Sequence, residues 1–118
     1  KLACPMGAGV GRMREVCGTV SAMAMLSGLK MGNTDPSDEE AKTRSYEIVR
    51  KMSDAFREKR GSIICREFLG MPSSVTESAR PSQRTAAYYA TRPCSHIVAE
   101  AARIVEEMLL EDVNDQVK

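Results

Sequence analysis

The chain has 118 residues, with 17 basic and 16 acidic side chains for a formal net charge of +1, and it lacks Trp. That length carries one domain with its own core and is short for two, and the mixed, nearly balanced charge gives no electrostatic footprint for nucleic acid or an anionic membrane. With few aromatics and much Met and Ala, burial must come from thin or flexible side chains, which favours helices over a sheet; the expectation is a single all-α domain over 1–118, a bundle of about four helices with one long irregular connection.

The opening stretch LACPMGAGVGRMREVC carries Gly7, Gly9 and Gly11 at every second position. Such spacing frees the backbone to take positive φ, so a loop is expected. From about residue 12 to 31 the pattern is helical and apolar on nearly every side, with Gly18, Ser21, Ala22, Ser27 and Gly28 as points of close approach. This is the expected central helix, closed by Gly32. Its charge-free run from Val16 to Leu29 is too short to span a bilayer.

NTDPSDEEA then starts a second helix, expected over 36–60, with Thr34 or Asp35 as cap, Pro36 in the first turn and Gly61 as stop. Ile48, Val49, Met52, Ala55 and Phe56 recur at helical spacing, and Glu40 with Arg44 and Glu47 with Lys51 can pair across one turn of its solvent face. A short helix over 62–69 follows, capped by Ser62 and ended by Gly70. Between Gly70 and Pro93 periodicity disappears. Arg80, Arg84, Arg92, Tyr88 and Tyr89 make this connection basic and amphipathic, suited to covering a site or docking an acidic partner, or else simply solvated. The last helix, expected over 95–111, puts Ile97, Val98, Ala101, Ile104, Val105, Met108 and Leu109 on one stripe.

Four cysteines remain: Cys4, Cys17, Cys65 and Cys94. Their wide spacing and the lack of a signal segment favour reduced, metal-bound or redox-active thiols in the cytoplasm over a secreted disulfide framework. Cys17, Cys65 and Cys94 each fall near an expected helix start, where unpaired N–H groups and the helix dipole favour a thiolate. The competing reading is that each is a small buried hydrophobe. The N–H groups of the Gly9 and Gly11 loop could point at an anionic cluster or thiolate, or the loop could be a tight turn that lets helices pack. His96, two residues after Cys94, is a candidate ligand or proton carrier against an ordinary solvated histidine. The glycine spacing is neither GxGxxG nor a P-loop, so a nucleotide site is set aside.

GAGVGRMREVCGTVSAM, then GLKMG, GSIICREFLG and RTAAYYATRPCSHIVAEAA together resemble the family of redox-active proteins named for its C, GCAxxG, C and C cysteine pattern. Cys17, Gly18 and Thr19 fit the second motif, with Ala22 where a Gly is usual, and Cys65 and Cys94 match the third and fourth cysteines. The family's first cysteine lies upstream, in a segment reading like NCAQ; either that segment precedes these residues or Cys4 takes its place. The resemblance implies a helical domain similar to one in split-Soret cytochromes, where cysteines are suggested to hold an iron-sulfur centre. No CxxCH is present for haem attachment of this chain's own.

These lines converge on one expectation: Cys17, Cys65 and Cys94, with Cys4 as a possible fourth, share a site for an iron-sulfur cluster or other metal ion used in electron transfer. A thiol-disulfide protein and a structural metal site are the alternatives. No catalytic residue is assigned. A redox partner protein is expected, and a homodimer, or the upstream segment, should cover the apolar central helix.

Overall fold

A computed structural model describes residues 1–110. Among them are five α-helices and no strand: α1 (Gly18–Met31), α2 (Glu39–Arg60), α3 (Cys65–Phe68), α4 (Ala86–Thr91) and α5 (Cys94–Val105), with a 3₁₀ turn at Cys4–Met6 and a π-helical turn at Glu106–Leu110 after α5. The fold is the expected all-α bundle. None of these helices is long and apolar enough to cross a membrane.

Three of them carry the core. α1 contributes Val20 and Met23, α2 Met52 and Phe56, and α5 Ile97, Ala101 and Ile104, each at i, i+3, i+4 or i+7 spacing, so each helix turns one stripe toward the other two. Met52 and Phe56 are completely buried, and a side chain of that size stabilises by about 1.5–3 kcal/mol relative to leaving it in water. Phe68 of α3 meets Phe56 edge to face at 5.9 Å, which ties the short helix to the core.

The helix boundaries differ from expectation for local reasons. α2 starts at Glu39 rather than 36, because Asp35 accepts from the backbone and hydroxyl of Ser37 and fixes a turn around Pro36; Asp38 is the cap and accepts from the Ala41 N–H at 2.9 Å. Gly61 ends it at φ 83°, as a left-handed cap should. Within the connection expected to be irregular, Thr85 Oγ1 accepts from the Tyr88 N–H and starts α4. α5 gives way at Glu106 to the π turn that still buries Leu109; the expected terminal residue, Glu111, lies outside the described residues.

The largest departure is at α1. It begins at Gly18, not at 12, because residues 15–17 pair with 63–65: Val16 forms an antiparallel bridge with Ile64, the Cys17 N–H donates to Ile63 O at 2.8 Å, and the Cys65 N–H donates to Glu15 O at 2.7 Å. This pairing also delays α3 to Cys65. Nor is α1 covered on every side: Leu26 is 45 % and Leu29 85 % exposed, one helical turn apart on a face that also shows Ala22.

Candidate functional site

The glycine loop sets the site. Gly9 and Gly11 take positive φ, and so do Ala8 (55°), Val10 (66°) and Arg12 (68°) between and beside them, with Arg14 (62°) following. Five consecutive residues in the left-handed region are rare, and for β-branched Val10 the conformation is a true outlier, costing on the order of 1–2 kcal/mol for each non-glycine residue. The surrounding hydrogen bonds hold it: Gly11 N–H to Pro5 O at 2.8 Å, Arg14 N–H to Ala8 O at 3.2 Å and Glu15 N–H to Gly9 O at 2.9 Å. A Cβ at Gly9 would lie 2.6 Å from both Arg14 Cα and Glu15 N, so only glycine admits this backbone-on-backbone contact. The loop thus presses residues 14 and 15 into the ladder with Ile64 and Cys65.

That ladder places two cysteines. Val16 and Ile64 are directly opposite, so Cys17 and Cys65 stand diagonally to either side of that bridge. Cys17 is the N-cap of α1, half-buried against the core, and its carbonyl accepts from Val20 and Ser21. Cys65 is the first residue of α3 and half-buried. Cys94 is the first residue of α5, behind Pro93, and exposed. Cys65 and Cys94 stand at helix starts as expected, whereas Cys17, expected in the first or second turn of a helix from 12, caps a helix that starts at Gly18. α3, however, is one turn long and has little dipole to offer.

A buried arginine supplies the positive charge there instead. Arg14, only 7 % exposed, donates through Nη1 to Cys65 Sγ at 3.7 Å and through Nε to Glu77 Oε1 at 2.5 Å. Arg12 meets the other carboxylate oxygen of Glu77 at 2.8 Å and also reaches Ser78 O and Ser82 Oγ. Burial works against the Arg14 charge, but the hydrogen bonds to Glu77 and Cys65 outweigh it and leave the guanidinium pKa raised. The bond from Arg14 holds Glu77 below the usual carboxylate range. The connection after Gly70 is thereby pinned beside Cys65.

The Cys94 thiol is pushed up, chiefly because protein atoms crowd the sulfur although the residue as a whole is exposed, and next by the charges of Cys17 and Cys65. Three sulfurs from three elements thus stand in one electrostatic neighbourhood. Among the described residues, no group of three or more His, Cys, Asp or Glu side chains is placed so that it could hold a metal ion. Thiolates are the donors that soft-metal and iron-sulfur centres take, and a guanidinium beside them would offset the net negative charge of such a centre.

Cys4, exposed in the 3₁₀ turn, lines a recess with Gly11, Arg12, Arg14 and Arg84, and is not among the charges acting on Cys94. Gly11 is exposed in that recess, whereas Gly9 is buried under the backbone of 14 and 15. His96 is exposed on α5 and uses its carbonyl, not its ring, to accept from Arg60. Tyr88 is stacked between Arg84 at 4.4 Å and Arg92 at 4.8 Å, and neither arginine has a carboxylate partner among the described residues; with Tyr89 and Val98 they line the groove that opens on Cys94.

Sequence reasoning missed Arg14, Arg12 and Glu77. Reading 12–31 as one helix put both arginines on a helix surface, where they would be solvated. One signal was available: Glu77 is the single acidic residue between Gly70 and Pro93, in a segment with three arginines.

A family model described as "Putative redox-active protein (C_GCAxxG_C_C)" matches residues 1–108. No curated protein and no solved structure matches the chain.

Proposed function

Since the chain belongs to the C_GCAxxG_C_C family of redox-active proteins, we propose that Cys17, Cys65 and Cys94 hold an iron-sulfur centre used in electron transfer. The reading is supported by the placement of the three thiols: each stands at a helix start, and Cys17 and Cys65 lie near enough to Cys94 for their charges to push its pKa up. Such a centre, when bound, stores and releases an electron reversibly. The chain's own residues supply the rest. Thiolates repel one another, so three of them in one field favour a cationic iron core between them, and Arg14 offsets the excess negative charge that remains. The apolar packing of Val16, Cys17 and Ile63 against the core limits water on one side. The exposed edge at Cys94, with Arg84 and Arg92, is where an acidic redox partner protein would approach.

Protein made and kept without oxygen tests this directly. Broad visible charge-transfer absorption, with matching iron and acid-labile sulfide, is the expected result. A colourless, metal-free protein whose free-thiol count rises on reduction would instead establish a thiol-disulfide protein.

A further inference from the structure

Glu77 belongs to none of the family motifs and touches no cysteine. Its carboxylate nevertheless closes a chain of charges that ends on one: Arg12 Nη2 on Oε2 at 2.8 Å, Arg14 Nε on Oε1 at 2.5 Å, and Arg14 Nη1 on Cys65 Sγ at 3.7 Å. The guanidinium is planar and its donors form a fixed fork, so fastening Nε on one side fixes where the Nη1 donor points. Arg14 has little other freedom. Its backbone is at positive φ, its N–H is held by Ala8 O, and its side chain is buried. Without Glu77, a buried guanidinium would keep only the long contact to sulfur and would turn toward solvent or a carbonyl to satisfy its remaining donors.

We infer that Glu77 is a positioning residue that holds Arg14 on Cys65, so that the connection following Gly70 sets the reactivity of that thiolate. The inference deepens the proposed redox site, since it concerns the charge on one of its three sulfurs, but its geometry is present whatever the cysteines hold. Glu77 acts through Arg14 only. Arg12 shares the carboxylate and, through Ser78 O and Ser82 Oγ, anchors the same segment, which keeps Glu77 in reach of Arg14.

The test is the alkylation of each cysteine by iodoacetamide at neutral pH, in the reduced, chelator-treated full chain, read by mass spectrometry. The four cysteines fall in four different tryptic peptides, so each reports separately. The attacking species is the thiolate, and the guanidinium that contacts Sγ favours it. Glu77→Ala should therefore slow Cys65 about two- to three-fold and leave exposed Cys4 unchanged. Arg14→Ala should slow Cys65 as much, and adding Glu77→Ala to it should change nothing further. Glu77→Gln, which retains an oxygen for Arg14 Nε, should recover most of the wild-type rate. A merely structural role would act in the opposite direction, exposing Cys17 and Cys65 together and speeding both. An unchanged or faster Cys65 in Glu77→Ala overturns the positioning role, as does an additive double variant. If wild-type protein binds no iron, the proposed function fails while this comparison of rates still stands.

Discussion

Gly9→Ala is the sharpest test of how the chain builds its cysteine site. The new methyl would meet Arg14 Cα and Glu15 N at 2.6 Å and Arg14 C at 2.7 Å, all backbone atoms that no rotamer change can move aside. Two costs add. A non-glycine residue at φ 67° costs about 1–2 kcal/mol, and forcing a methyl into packed backbone costs about 1–3 kcal/mol more. The total, about 2–5 kcal/mol, is a large part of the 5–15 kcal/mol that stabilises a small domain. Gly11→Ala is the control: φ is 58°, and nothing lies within 4 Å of its would-be Cβ, so it should lose only the first cost. Urea denaturation of both variants gives the difference, which should be about 1–3 kcal/mol in favour of Gly11→Ala. Because the carbonyls of residues 14 and 15 accept from the N–H groups of Arg66 and Cys65, Gly9→Ala should also change the alkylation rates of Cys17 and Cys65, and Gly11→Ala should not. Equal losses for the two variants would refute the argument that Gly9 seats the ladder.

Further outcomes follow from the same structure. Phe56→Ala, at a fully buried position on α2, should cost about 3–5 kcal/mol in a denaturant titration, whereas truncating Tyr46, which is 60 % exposed on the same helix, should cost little. Glu77 titrates below its ordinary value when folded, so its contribution to stability is present above the unfolded carboxylate value and is lost as pH falls through the lowered folded one. The stability gap between wild type and Glu77→Gln should therefore be full at neutral pH and close on acidification, as followed by thermal melts across pH. Leu26 and Leu29 leave an apolar strip on α1, so the chain should sediment as a homodimer that Leu29→Lys converts to monomer; a monomeric wild type at high concentration would count against this.

The helices were legible because their signals are local. Met52, Phe56, Ile97, Ala101 and Ile104 sit at helical spacing, and Gly61 is a stop that any chain would use in the same way. The helix-start positions of Cys65 and Cys94 were legible for the same reason. What the sequence hid is set by contacts distant along the chain. Residues 12–17 have helical composition, yet the bridge from Val16 to Ile64 and the run of positive φ from Ala8 to Arg12 take them out of α1. No propensity favours Val10 in that conformation; tertiary hydrogen bonds impose it. Arg14 became visible as part of the site only when the ladder brought it to Cys65 and the later segment brought Glu77 to it. α4 was missed because its six residues are too few for periodicity, and its one signal is the hydroxyl of Thr85.

The central claim, that Cys17, Cys65 and Cys94 serve one centre, is tested most directly by iron and acid-labile sulfide content in four single variants isolated without oxygen: Cys4→Ser, Cys17→Ser, Cys65→Ser and Cys94→Ser. The account predicts that the last three each lose bound iron and visible absorption while keeping wild-type helix content by circular dichroism, and that Cys4→Ser keeps both. Full iron content in Cys17→Ser, Cys65→Ser or Cys94→Ser, or a wild-type protein that never binds iron, would contradict it.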